Sequence, residues 1–417
     1  MNEQLIVKNF GPFQTEEVNV TFKKVTVFIG PSGGGKSTLA KLMSVFRDVD
    51  FYASPDDPGY LFDYYGLGNY FNSTSELRLN RGKYGVKVKG RHITYDVITK
   101  RLINTQTKRA TQVFIERTNE KVPLLSQTLR TAAKYTEIEK EALDEVISAV
   151  QSLTDELVQD TTREILKLIF SKIFLYTNPA YIPSERIFVS SLTNSWAGLM
   201  RDDIGLPLPL LTFANNYAQF RTVISDLKLP LFNANYFHIG GDDFIKIEGR
   251  KKLINLHETA SGIQSVTPML VLLEHLSRNT EQAQSFIIEE PELNLYPTAQ
   301  QGLLNWLVEK CTKGENDLTI NTHSPYILSH LNLLLYAHHV GTKDEEKRQK
   351  VAAIIPEQYW LNPDEFAVYY VNGPEGAGGV RSLLDPETKL ISQNELDAVS
   401  GIQADEFDQL LDINRGF

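Results

Sequence analysis

Two stretches of this sequence carry side chains whose types and spacing suit phosphate chemistry. Gly30-Pro31-Ser32-Gly33-Gly34-Gly35-Lys36-Ser37, followed by Thr38, fits the pattern G-x4-G-K-[ST]. Glycines there let the backbone wrap a phosphate with its N–H groups turned inward, and a helix N-terminus behind them adds a positive dipole end. In such a loop Lys36 bridges the β- and γ-phosphates of a nucleotide and Ser37 ligates Mg2+. The second stretch, Phe286-Ile287-Ile288-Glu289-Glu290-Pro291-Glu292, is an apolar run that closes on carboxylates. On a strand adjacent to the phosphate-loop strand, Glu289 is expected to enter the Mg2+ shell. Glu290 is then expected to point at the γ-phosphate and polarise the attacking water as general base.

Two further motifs follow the same logic. Asn321-Thr322-His323-Ser324-Pro325 ends a second buried run, where His323 could hydrogen-bond the γ-phosphate; a lone His is more often structural. Thr259-Ala260-Ser261-Gly262-Ile263-Gln264-Ser265 stands before an expected helix from Ser265 to about Asn279. A Ser-Gly pair at a helix start offers backbone N–H groups to an anion, and an N-cap is its plain alternative. One phosphate loop already holds the chain's own nucleotide, so Ser261 and Gly262 most simply address the nucleotide of another subunit.

These groups need elements to carry them. Leu5–Lys8, Val18–Phe22 and Val25–Ile29 read as strands, and Ser37 to about Val49 as a helix with Leu39, Leu42, Met43 and Phe46 on one face. Pro and Gly between Ser54 and Gly59 break it, and Tyr84–Lys89 with His92–Ile98 suggests an antiparallel meander. Between Leu124 and Asn178 there is neither Pro nor Gly, and apolar residues recur at helical spacing. Tyr181–Val189 reads as a core strand, Phe237–Leu256 as hairpins, and Phe286–Ile288 and Leu318–Ile320 as buried parallel strands. The expected architecture is α/β: a P-loop NTPase head with a mostly parallel sheet flanked by helices and an antiparallel β-subdomain near the N-terminus. Residues 1–122 and 179–417 form the head, and 123–178 an inserted helical lobe.

Composition narrows the classes. The 417 residues carry 42 Lys+Arg against 52 Asp+Glu, a formal charge of −10, with 42% hydrophobic and 23% charged residues, which excludes a mostly disordered chain. Cys311 is the single cysteine, so no intramolecular disulfide forms and a reducing cytoplasm fits. No secretory pattern opens the sequence, and no apolar run approaches the ~18–20 residues that cross a bilayer, so no membrane partner is expected. The charge is uneven. Glu76–Ala110 holds ten Lys/Arg and two acids, whereas Glu357–Phe417 holds three and twelve. A nucleic acid could touch the first stretch, although a solvated meander explains it as well.

The order of phosphate loop, Ser-Gly signature, Glu-Glu-Pro-Glu strand and Thr-His-Ser-Pro resembles the ABC-type ATPase heads of the SMC/RecF/OLD group. The opening Leu5-Ile6-Val7-Lys8-Asn9-Phe10-Gly11 is similar to the start of those proteins. Most alike are the stand-alone AAA family ATPase subunits of bacterial anti-phage systems of PARIS-like or Septu-like type. The resemblance implies a homodimer, or a higher homo-oligomer, with two ATP molecules sandwiched between one subunit's phosphate loop and the other's Ser261-Gly262. It also implies Mg2+ as cofactor and an operon-encoded effector, a nuclease or toxin, under the ATPase's control; a RecF-like repair head acting directly on DNA is the alternative. A transporter's ATP-binding subunit fits poorly, because such subunits lack the insertion. Tyr296 stands where the group commonly has His. The glutamine that reaches Mg2+ stays open among Gln106, Gln112 and Gln127. Ile182-Pro183-Ser184-Glu185-Arg186 resembles a recurring segment, with Arg186 expected at nucleotide, at a neighbouring subunit or in a surface ion pair.

Overall fold

The phosphate-loop strand lies inside a sheet, not at its edge, in the computed structural model of the chain. The structure describes residues 3–14, 17–53, 59–105, 163–164, 166–167, 178–191, 205–278, 282–373, 379–392 and 395–415. In chain order come β1 (Glu3–Lys8), β2 (Val18–Phe22), β3 (Val25–Ile29), α1 (Lys36–Arg47), β4 (Glu76–Arg81), β5 (Tyr84–Lys89) and β6 (His92–Tyr95). Next are β7 (Ala180–Ile182), α2 (Leu208–Phe220), β8 (Asp226–Leu229), β9 (Ala234–Ile239), β10 (Asp242–Ile247) and β11 (Ile254–Asn255). The last third holds α3 (Ser261–Ser277), β12 (Ser285–Glu289), α4 (Pro297–Cys311), β13 (Asp317–Asn321), α5 (Pro325–Gly341), β14 (Phe366–Val371) and β15 (Val380–Ser382).

Three sheets result. The central one runs β15-β14-β3-β13-β12-β7, and all its neighbours pair parallel except β15. Its inner strands are buried on both faces, which explains the largely apolar run Val25–Ile29, with only Thr26 polar, and the apolar run Phe286–Ile288. Val27, Ile29 and Ile288 point to one core with α3, α4 and α5; Phe28, Ile287 and Val371 point to another with α1. The second core is closed by the antiparallel sheet β2-β1-β4-β5-β6. There Leu5, Val7, Leu77, Leu79, Val86 and Val88 alternate inward. A smaller antiparallel sheet, β11-β10-β9-β8, covers the first core beside α2.

Three expectations need correction. The acidic strand β12 does not adjoin β3, because β13 lies between them. The strand expected over Tyr181–Val189 stops at Ile182, since Pro183 has no N–H for the ladder; the chain then turns helical through Ser191. The helix expected from Ser265 begins a turn earlier, at Ser261. Most of the expected helical lobe, with Gln106, Gln112 and Gln127, lies outside the described residues. Leu166 is buried in the second core, and Lys167 pairs with Asp50 at 3.0 Å.

At the end of the central sheet away from the phosphate loop, one buried guanidinium joins four elements. Arg47, at the close of α1 and 2% exposed, donates to Glu3 of β1 at 2.6 and 3.0 Å, to Ser285 of β12 at 2.7 Å, and to Asp317 of β13. Removing the cation would leave the buried Glu3 and Asp317 carboxylates together, with Arg81 3.8 Å from Glu3. Arg47→Ala is expected to cost about 3–5 kcal/mol, read as a lower midpoint in urea unfolding at unchanged slope.

Candidate active site

The phosphate loop takes its shape from its glycines. Gly30, Gly33 and Gly35 have φ of 141°, 77° and 105°, a region that L side chains rarely adopt. A Cβ on Gly30 would collide with the Val371 carbonyl oxygen, and one on Gly34 would stand 2.6 Å from the same oxygen. A Cβ on Gly35 would meet the Phe13 ring at 2.5 Å, while one on Gly33 would meet nothing within 4 Å. Gly33 therefore faces the open side where a phosphate has room. Behind the loop, Gly373 packs so closely that its own Cβ would lie 2.6 Å from Gly34 Cα. Sequence reading missed Val371 and Gly373, since nothing local marks a distant backbone as the wall of this loop.

Lys36 opens α1 and is buried, with Nζ donating to the Gly30 and Pro31 carbonyls at 2.9 Å each. Burial lowers its pKa, against the pull of Glu290, Glu289 and Glu292, in that order. The acidic strand end thus faces the loop electrostatically even though β13 separates the strands. Ser37 is exposed at the start of α1 and Thr38 is buried. The Ser37 hydroxyl and the Glu289 carboxylate, which is 6% exposed and accepts from Asn321 Nδ2 at 3.4 Å, are oxygens of the hard kind that Mg2+ takes. An open cradle of glycine amides beside a lysine and such oxygens fits a Mg2+–nucleotide.

Glu290 leaves the strand with φ 43°, unusual for a residue with a side chain. Its N–H donates to Asn321 O at 2.9 Å, and its carboxylate lies 3.7 Å from His323 Nε2. Burial and the Lys36 ammonium lower the His323 pKa from 6.5, against the opposing pull of Glu290, so the imidazole is neutral at pH 7. Glu292 reaches across to the same loop, accepting from Thr322 Oγ1 at 2.6 Å and from His323 N at 3.0 Å. Burial raises its pKa.

Arg186 holds this corner together. It is wholly buried, and its guanidinium donates to the carbonyls of Glu289 (2.7 Å), Glu290 (2.6 Å), Pro291 (3.2 Å) and Pro183 (3.1 Å). Burial lowers its pKa to about 10, against the neighbouring acids, so it stays charged at neutral pH. Neither a nucleotide contact nor a surface ion pair describes it: Arg186 sets the backbone that aims Glu289 and Glu290. Ser261 and Gly262 stand apart from the residues lining the cleft beside Lys36. Ser261 is exposed and caps nothing with its hydroxyl; Gly262 is buried, where a Cβ would lie 2.7 Å from Asn294 O. Tyr296 is 76% exposed nearby in sequence.

The family model described as "AAA ATPase domain" matches residues 64–328, well over half of the chain. The chain belongs to that family. The match spans Ser261-Gly262, the acidic strand and Thr322–Pro325, and the phosphate loop precedes it. This AAA ATPase is an enzyme that binds and hydrolyses ATP. No curated protein matches the chain. Among solved structures, the Smc head domain with an extended coiled coil bound to the C-terminal domain of ScpA, from Pyrococcus furiosus, aligns over 92% of this chain and 96% of that one, at 10% identity and TM-score 0.37. An SmcHead bound to the C-winged helix domain of ScpA aligns over 93% and 99%, at 11% identity and TM-score 0.46. The SMC head domain from Thermotoga maritima aligns over 79% and 91%, at 11% identity and TM-score 0.36. No helix among the ATPase's described residues is long and apolar enough to cross a membrane.

Two measurements check this electrostatic and geometric picture. Lysine cannot bridge several carbonyls as a guanidinium does, so Arg186→Lys should lower kcat by about ten- to a hundredfold with little change in KM. By NMR titration the His323 imidazole should protonate below 6.5, and Lys36→Met should move that value upward.

Proposed function

We propose that this ATPase closes as a Mg2+-dependent dimer around ATP and acts directly on DNA. The reading rests chiefly on Glu290, a carboxylate in a strained backbone conformation, pinned through its carbonyl and its N–H and aimed beside His323 and Lys36. In this reading the amides of Gly30–Gly35 and the Lys36 ammonium hold the phosphates, with Pro31, Ser32 and Thr38 completing the loop. Ser37 and Glu289 hold Mg2+, which neutralises phosphate charge when bound. Glu290 takes the proton of the attacking water, and neutral His323 hydrogen-bonds the γ-phosphate. Exposed Ser261 at the start of α3 reaches the nucleotide of a second copy, which explains a hydroxyl that caps nothing in its own chain.

DNA is favoured by the outer face of the antiparallel sheet. Register places Lys8, Glu76, Lys89 and His92 in one row and Arg78, Lys87 and Thr94 in the next, so four cations share that face with Glu76 and with Asp96, which lies over Gly85. Beyond β6, Lys100 and Arg101 are also exposed. Control of a separate nuclease or toxin in phage defence is the competing reading, and it is an outcome of the same test.

Glu290→Gln with ATP should run as a dimer by light scattering and barely turn over, while Lys36→Ala should neither bind ATP nor dimerise. Duplex DNA should raise wild-type turnover. Its binding should weaken steeply with salt, and Lys8→Ala and Lys89→Ala should each reduce the slope by about one. A trapped dimer that ignores DNA but co-purifies with a nuclease or toxin from its native cells would replace this reading with effector control.

A further inference from the structure

Beside the phosphate loop lies a cleft of about 550 Å³, large enough for a whole nucleotide. Lys36 and Ser37 line it. Apart from Lys36 the lining carries no charge, and it includes Gly11, Tyr70, Phe71 and Asn72, which pack together at one end. A phosphate gains nothing there, whereas a flat, uncharged ring system does.

That uncharged end is rigidly built. Tyr70 is 39% exposed, and its ring meets Phe10 edge-on at 5.7 Å. Phe71 packs edge-on against Phe10 at 4.8 Å and Phe62 at 4.9 Å, and the Arg91 guanidinium lies over it while donating to Gly68 O at 2.8 Å. The Gly11 N–H donates to Tyr70 O at 3.3 Å, Asn72 Nδ2 donates to Asn9 O at 2.9 Å, and Ser75 Oγ donates to the same Asn9 oxygen. Gly11 has φ 54°, and any Cβ on it would collide with the Tyr70 ring. The neighbouring Pro12 and Phe13 press on Gly35, so the aromatic platform and the phosphate cradle keep a fixed separation.

We propose that Tyr70 is the stacking platform for the base of the nucleotide whose phosphates the loop holds. This rests on the phosphate-loop reading above and adds the residue that tells a nucleoside triphosphate from a bare polyphosphate. A base laid on an aromatic ring gains from its π-face whatever its edge presents.

The test compares Mg2+–ATP with Mg2+–tripolyphosphate by titration calorimetry on the full chain. Tyr70→Ala should weaken ATP by about five- to a hundredfold and leave tripolyphosphate unchanged, while Tyr70→Phe should bind ATP as the wild type does. Equal loss of both ligands in Tyr70→Ala, unchanged ATP affinity, or a Tyr70→Phe as weak as Tyr70→Ala would overturn the proposal. So would a wild type that holds tripolyphosphate as tightly as ATP. Lys36→Ala should lose both ligands; a wild type that binds neither would fail the phosphate-loop reading and this proposal with it.

Discussion

A missing methyl group organises this molecule. At Gly30 and Gly34 the phosphate loop touches the Val371 carbonyl so closely that no Cβ fits, and Gly373 returns the contact from its own side. The loop can form only where β14 runs beside β3. At Gly35 the same constraint admits Phe13, which closes the turn Phe10–Phe13; through Gly11 that turn meets the aromatic cluster around Tyr70. Phosphate cradle and last parallel strand therefore meet backbone to backbone, and the first β-subdomain joins them through the Pro12 and Phe13 rings. Backbone packing of this kind cannot be tuned by rotamer changes, so its geometry is inherited by everything attached to it.

Opposite the loop, charge takes over from shape. Three glutamates crowd one corner, and the cations that balance them are of two kinds. Lys36 sits on the loop and is held by carbonyls that lie within its own turn. Arg186 is walled in and grips the main chain of the acids instead of their carboxylates. That choice leaves the carboxylates of Glu289 and Glu290 unclaimed by the nearest arginine. Burying a guanidinium is costly unless its donors are met, and three carbonyls of one sharp turn together with that of Pro183 meet most of them.

What could be read from the sequence was whatever the local backbone demands. The glycines before Lys36, the apolar run ending at Glu289 and the Thr-His-Ser-Pro segment all announce themselves, because strand, loop and helix follow within a few residues. Strand order could not be read: β13 inserts between β3 and β12 through contacts hundreds of residues apart, and any permutation has the same local pattern. Arg186 was misjudged for a related reason, since carbonyl partners leave no trace in residue types. The early start of α3 reflects packing of Gly262 against Asn294, a contact invisible to helical periodicity. Tyr70 lies in a polar turn that looks like any other until the fold lays it over Gly11.

The position of β3 in its sheet has a consequence for synthesis. Its two neighbours, β13 and β14, are Asp317–Asn321 and Phe366–Val371, so a strand made near the start waits for partners made near the end. At ribosomal speeds of about 5–20 residues per second, that delay is on the order of half a minute. Until β13 is made, Val25–Ile29 is a largely apolar segment with both edges waiting for partners, the kind of segment that holdase chaperones cover and nascent chains aggregate through. A ribosome that stalls before Phe366 leaves a polypeptide carrying the whole nucleotide motif and no wall to shape it. Such truncated products cannot compete with the finished enzyme for nucleotide.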